Sequence, residues 1–363
     1  MANPKPPASS IFAKKISLGG VNLEQKAVFA RNLAIMLKAG ITISEALAIV
    51  VEIATGKLKK ITSHIYKSVQ SGQSFAASLG MYPKVFSGIF INTVFVGEKS
   101  GTLYENLEAI AQQLDKDREM RSKVKGAMLY PTVVLIAAGI LGLVIAFVVF
   151  PKIIPLFKGL KIKLPITTLA LIWLSEVIQA HGFTIIISLA ALVFFLIWFC
   201  RQKFSHPFTH WLTLKTPLIA KITLAVNLSR FCRTFGMLLK SGVNIDEAVK
   251  ITGDSLDNFY YRRALHLVYE HIGKGTTVAE NLSAYKELFP TMLVRMVMVG
   301  EKSGKLEETL FYLADFYELE VNNRTKSLST AIEPALLIII GLVVGFLALS
   351  IITPIYSITG GLK

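Results

Sequence analysis

FARNLAIMLKAGITISEAL (residues 29–47) is met a second time, without a gap, as FCRTFGMLLKSGVNIDEAV (231–249). Phe29/Phe231, Arg31/Arg233, Leu37/Leu239, Lys38/Lys240, Gly40/Gly242, Ile43/Ile245, Glu45/Glu247 and Ala46/Ala248 are identical pairs. Further matches keep the same order. SGQSFAASL (71–79) faces KGTTVAENL (274–282), VGEKSG recurs letter for letter at 96–101 and 299–304, and GTLYENL (101–107) faces GKLEETL (304–310). Ordered self-similarity over about a hundred residues means one supersecondary unit made twice. The unit is helical. Phe29, Leu33, Met36 and Leu37 recur at helical spacing, as do Phe231, Phe235, Leu238 and Leu239, with Arg31 and Lys38 on the opposite face.

The turns repeat too. Gly40 and Gly242 sit where a left-handed residue ends a helix, and Thr42-x-x-Glu45 and Asn244-x-x-Glu247 resemble capping boxes that open the next. The paired glutamates Glu45 and Glu247 therefore have a structural job. By the same logic Gly97 and Gly300 are expected to close a helix, with a Glu-Lys-Ser-Gly turn through Gly101 or Gly304 leading into a helix near Thr102 or Lys305. Thr102-x-x-Glu105 has the form of a capping box, and the second copy places Glu307 and Glu308 in the first turn, where they suit the helix dipole. A nucleotide loop does not fit VGEKSG. Glu98 and Glu301 stand where the glycine before the lysine must be, and Thr93 and Met296 stand at the first glycine.

The chain has 363 residues, 53% hydrophobic and 17% charged, with mean hydropathy +0.54. The apolar excess lies in three stretches, 128–150, 182–200 and 331–353, uncharged except for Glu333 at the start of the third, each long enough to cross a bilayer as a helix. The expected organisation is a flexible tail without a signal peptide (1–21), a helical domain (22–127), a first span, a short outer loop with an amphipathic segment (151–181), a second span, a second helical domain (201–330), a third span and an outer tail (354–363). Two bundles of about six helices each are expected, with the first and third spans continuing from bundle helices. Pro131 and Pro334 fall at equivalent points of these long helices, and Glu333 stands where the first copy has Tyr130. Arg118, Arg121, Lys123 and Lys125 before the first span, Arg201 and Lys203 after the second, and Arg324 and Lys326 before the third put both domains in the cytoplasm by the positive-inside rule. Lys152, Lys158, Lys161 and Lys163 of the outer loop argue the other way, but parallel repeats require the second span as a return crossing.

The net charge of +15 is spread without a compact basic patch, which gives no nucleic-acid footprint and is met by anionic lipid. Cys200 and Cys232 fit neither a disulfide framework nor a metal site, and His206 and His210 have no third ligand nearby. No catalytic motif appears, nor an acid in the cores of the three spans, so neither an enzyme nor a proton-coupled transporter is indicated, and no cofactor is expected.

F-A-R-N-L-A-x-M-L-x-A-G (29–40), V-G-E-K-S-G-T-L (96–103) with its second copy, Tyr130-Pro131 with Glu333-Pro334, and the loop FPKIIPLFKGLKIKLPITT (150–168) together resemble the inner-membrane platform proteins of type IV pilus and type II secretion machines, over about residues 22–355. The resemblance implies an all-α protein of the bacterial cytoplasmic membrane with two cytoplasmic bundles, three spans and no enzymatic activity. It further implies a hexameric assembly ATPase, pilin or pseudopilin subunits and other inner-membrane assembly components as partners, and self-association. Arg31, Lys38, Arg233, Lys240, Glu98, Glu301 and Glu333 are the candidate partner contacts. A membrane-tethered adaptor of another machine and an oligomeric transporter or channel are the competing classes.

Overall fold

Each copy of the repeat folds into six helices. In the first these are α1 (Leu23–Lys38), α2 (Ile43–Ile53), α3 (Gly56–Gln70), α4 (Phe75–Gly80), α5 (Gly88–Ser100) and α6 (Leu103–Val144). A π-helical turn, Ile145–Val149, ends α6, and α7 (Ile166–Arg201) and α8 (His206–Lys215) lead to the second copy. That copy comprises α9 (Pro217–Lys240), α10 (Ile245–Ser255), α11 (Phe259–Ile272), α12 (Val278–Leu282), α13 (Thr291–Ser303) and α14 (Leu306–Gly360). The computed structural model describes residues 20–149, 151–152, 155, 166–202 and 205–360, and no strand occurs among them. The tail expected at 1–21 up to residue 19, the loop residues Lys158, Lys161 and Lys163, Lys203 and residues 361–363 lie outside the described residues.

Local chemistry sets the helix ends. Gly40 and Gly242 have φ of 85° and 84°. The N–H groups of Gly40 and Ile41 return to the Leu37 and Met36 carbonyls, a Schellman closure repeated at Gly242 and Val243. Thr42 and Glu45 form a reciprocal capping box at α2. Its counterpart does not form: Asn244 makes no side-chain cap bond to α10. Thr102 makes none either, its hydroxyl lying 2.7 Å from that of Ser100.

The expectation for VGEKSG is corrected by four residues. Helices α5 and α13 run on through Gly97 and Gly300, and it is Gly101 and Gly304, with φ of 75° and 70°, that end them. Gly97 and Gly300 serve a close crossing. A Cβ on Gly97 would lie 3.0 Å from Leu103 Cα and from Asn106 Nδ2, and one on Gly300 2.9 Å from Thr309 Oγ1 and 3.1 Å from Leu306 Cα. Each glycine thus lets the long helix pack against the one before it.

Two apolar cores result. Phe29, Phe86 and Phe90 cluster in the first, and Phe231, Tyr261 and Phe289 in the second, Phe231 and Phe289 standing where Phe29 and Phe86 do. Each fully buried ring contributes about 2–3 kcal/mol of hydrophobic stabilisation. Helices α6 and α14, about 63 and 80 Å long at 1.5 Å per residue, leave these cores and become spans. Among the described residues, three helical stretches are long and apolar enough to cross a membrane, Leu103–Val149, Ile166–Ile185 and Leu306–Ser350. The helix carrying the middle span begins at Ile166, inside the stretch expected as loop and amphipathic segment, and runs unbroken to Arg201. Thr168 of α7 donates to the Ser350 carbonyl of α14 at 2.9 Å, and Ser350 donates back to that of Thr167 at 3.2 Å. Small hydroxyl residues of this kind let apolar helices meet closely.

Candidate functional site

The two bundles meet along a seam where α5 and α6 of the first lie on α9, α10 and α14 of the second. Ile89, Val96, Met120 and Val124 reach across and pack on the second core. Val96 lies so close to Gly242 that a Cβ there would sit 3.8 Å from its methyl group. A cavity of about 90 Å³ remains in the seam, lined on one side by Gln113, Asp117 and Arg121 and on the other by Arg230, Thr234 and Asp257.

Charge is concentrated there. Glu318 of α14 accepts from Arg233 at 2.9 Å and lies 3.4 Å from both Lys116 and Lys123 of α6. Arg233 also donates to Asp315 at 2.7 Å. One carboxylate of the second bundle therefore gathers two lysines of the first. A second cluster joins Arg230 to Asp257 at 2.9 Å and to Asp117 at 3.8 Å, with Arg121 at 4.0 Å from Asp257. The Arg230 to Asp117 contact is an ion pair without a hydrogen bond, and Arg230 Nε is buried with no acceptor. Burial pushes the Asp117 carboxyl above the ordinary aspartate range, while Arg230 and Arg121 pull it partly back. Burial also pushes the Cys232 thiol up, which leaves it protonated and inert.

Below the clusters the two long helices touch directly. Pro131 lacks an N–H, so the Ala127 carbonyl one turn earlier is released from the helix ladder. Ser329 of α14 donates to that carbonyl at 3.1 Å. The proline thus supplies an acceptor that ties the two span-bearing helices together.

The sequence-expected contacts fall into three groups. Glu98 and Glu301 face inward. The backbone N–H groups of Phe75 and Ala76 donate to the two Glu98 oxygens at 2.6 and 2.8 Å, and those of Val278 and Ala279 to Glu301 at 2.7 and 2.9 Å. Each carboxylate caps a short helix 22 or 23 residues earlier. Arg233 is taken up in the seam. Arg31, paired with Asp115, and Lys38, Lys240 and Glu333 are exposed, with the Lys240 ammonium 5.8 Å above the Phe311 ring. The seam residues Lys116, Asp117, Lys123, Arg230, Asp257 and Glu318 were missed from sequence. One signal was present: Arg230 is charged where the first copy has Val28. Among the described residues, no group of three or more His, Cys, Asp or Glu could hold a metal ion.

Comparison with known proteins agrees with the duplicated architecture. The family model of the type II secretion system (T2SS), protein F, matches twice, at residues 29–151 and 231–354. The chain belongs to that family. It is 33% identical to the type IV pilus assembly protein PilC of Thermus thermophilus over 346 residues, covering 95% of this chain and 85% of that one. It is 33% identical over 341 residues to the type II secretion system protein F of Aeromonas hydrophila (93% and 87% covered), and 32% identical over 346 residues to PilC of Myxococcus xanthus (95% and 83%). The two family matches begin at Phe29 and Phe231, the first residues of the repeated stretch, and run through the first and third spans. The repeating unit of this family is therefore bundle plus span, and the seam joins two such units within one membrane protein.

Proposed function

We propose that the chain is the inner-membrane platform of a type IV pilus or type II secretion machine, a non-enzymatic part that couples a hexameric cytoplasmic assembly ATPase to the insertion or extraction of pilin-like subunits. The observation that carries the reading is mechanical. Helices α6 and α14 each run without a break from a bundle into a span, and Glu318 with Lys116 and Lys123, and Ser329 with the Ala127 carbonyl, bind the two together just above the membrane. A turn of either bundle is thereby carried into both spans. The bundles are assigned to the cytoplasm, from the basic residues that flank the spans. The exposed Lys38 and Lys240, in the last turns of α1 and α9, are assigned to contact with an acidic face of the ATPase, and the lipid-facing surfaces of the spans to pilin helices and other membrane components of the machine.

A Gly-Gly-Ser-Gly insertion after Lys125 tests this. It leaves both bundles intact while uncoupling α6 from its span. In cells of the source organism, ATPase association is expected to persist and filament or pseudopilus assembly to fall at least tenfold. Assembly at the parental level would overturn the coupling reading. Cysteines placed at exposed bundle positions should react with an impermeant maleimide only after the inner membrane is opened.

A further inference from the structure

The seam uses one face of each bundle, and the repeat gives each bundle a second face of the same kind. The first bundle presents α5 and α6, through Ile89, Val96, Gln113, Lys116 and Met120. The second receives them on α9, α10 and α14, through Arg230, Thr234, Met237 and Glu318. Transposed by the repeat, the presenting face of the second bundle is Met292, Val299, Phe316, Leu319 and Asn323. The receiving face of the first is Val28, Asn32, Ile35 and Asp115. Neither is covered.

Both uncovered faces are apolar where the seam is charged or sheltered. Leu319 replaces Lys116 and is 62% exposed, Val299 replaces Val96 and is 66% exposed, and Phe316 and Met292 are exposed beside them. On the other side Val28 replaces Arg230, and Ile35 replaces the buried Met237 and is 60% exposed. Each face also opens a groove. One of about 430 Å³ lies between Leu214, Lys221 and Leu224 of α8 and α9 on one wall and, on the other, Pro290, Met292, Phe316, Tyr317, Glu320 and Arg324, the counterparts of Ser87, Ile89, Gln113, Leu114, Asp117 and Arg121 in the seam cavity. One of about 270 Å³ lies among Glu24, Val28, Asn32, Ile53 and Thr55, opposite the same position in the first bundle. The seam cavity is thus found again as two separated halves. Large unpartnered apolar patches of this kind mark interaction sites.

We infer that the second bundle of one copy docks, through Met292, Val299, Phe316 and Leu319, onto Val28, Ile35 and Ile53 of the first bundle of another copy, repeating the seam between chains. The contact is head-to-tail. Lys326, the counterpart of Lys123, comes opposite Asp115, the counterpart of Glu318, so the seam's cross-bundle ion pair has an equivalent there. Arg31 lies within this covered face, as Arg233 does within the seam. Because every bundle is joined to spans in one plane, successive head-to-tail contacts stay in that plane, where they form a ring when the rotation between units closes. The smallest closed form is two copies with four bundles. The inference rests on the repeat and the membrane spans and is independent of which machine the protein serves.

The test uses the full chain in detergent or nanodiscs, with native mass spectrometry as readout. Leu319→Glu blocks the presenting face and Ile35→Glu the receiving one. Both positions are exposed, and an unchanged thermal transition in each variant shows that the bundles remain folded. Each variant alone is expected to lose closed oligomers, with its apparent dissociation constant raised at least tenfold. The two mixed are expected to form a dimer held by the single remaining intact contact. A photo-crosslinker at Val299 should join 14N and 15N copies through the peptide containing Gly40, because Val96 lies against Gly242 in the seam. A monomeric parent, an Ile35→Glu variant that assembles like the parent, or crosslinks that reach only other proteins would each overturn the inference.

Discussion

Arg31 with Asp115 and Arg233 with Glu318 are the same ion pair made twice, each joining the first helix of a bundle to its last. Their settings differ. The first pair is 49% and 27% exposed, the second 13% and 10%. The difference comes from neither copy's own sequence. Helix α6 of the first bundle lies over the second pair and adds Lys116 and Lys123 to it, whereas among the described residues no helix of the other copy pairs with the first. A duplicated unit can thus use one interaction as a surface contact in one place and as the anchor of a joint in the other.

Separating these roles is the largest effect to look for. Glu318→Gln leaves three cations facing a neutral amide in a nearly closed site, a loss of about 3 kcal/mol by the usual cost of breaking a sheltered ion pair. Asp115→Asn should cost less than about 1 kcal/mol, as exposed pairs do. Thermal unfolding of the full chain in one detergent measures both. Equal losses would mean that the seam does not shelter Glu318 as described.

Gly97 and Gly300 make the opposite test, since the close crossing is equally tight in both bundles. Gly97→Ala and Gly300→Ala should each lose about 1–3 kcal/mol, the usual cost of overpacking, by similar amounts. A clear disparity would show that the seam reaches into the helix crossing.

The parts of this fold that were legible are those fixed by local chemistry. The Schellman glycines Gly40 and Gly242, the box at Thr42 and Glu45, the six-helix unit and the long helices running into spans all follow from spacing within a few residues. Long-range use was not legible. VGEKSG reads as a turn because glycine usually breaks helices, yet Gly97 is needed only because Leu103 and Asn106 come back against it. Glu98 and Glu301 read as candidate partner contacts because the N–H groups that donate to them lie 22 or 23 residues upstream. Arg31 and Arg233 are indistinguishable as letters, and their burial differs through a helix from the other copy. Comparing the copies for charge substitutions, such as Val28 against Arg230, points to the seam where composition cannot.

A smaller contrast lies in the caps. Thr42→Ala removes a reciprocal box and should cost about 1 kcal/mol, whereas Asn244→Ala, whose side chain makes no cap bond, should cost a few tenths. Amide exchange at Glu45 and Glu247 locates the effect, since only the Glu45 N–H donates to the side chain of its cap. Equal fraying of α2 and α10 in the two variants would remove the distinction.

The finest contrast is between Asp117 and its counterpart Glu320. Asp117 faces Arg230 across the seam, while Glu320 pairs with Arg324 one turn along its own helix at 2.7 Å. Burial, opposed by Arg230 and Arg121, holds the folded-state pKa of Asp117 above its ordinary value of 3.8. Between those two values the folded chain binds more protons at this site than the unfolded one. The Asp117 contribution to stability therefore grows as pH falls through the raised value and is complete below the ordinary one. Asp117→Asn removes this dependence. Stability of the parent relative to the variant should therefore rise on acidification from pH 7 towards the ordinary aspartate value. Using the difference cancels the titration of every other carboxylate. Parent and variant curves that stay parallel across that range would mean that the seam leaves Asp117 solvated, and would reopen the question of how tightly the two bundles are joined.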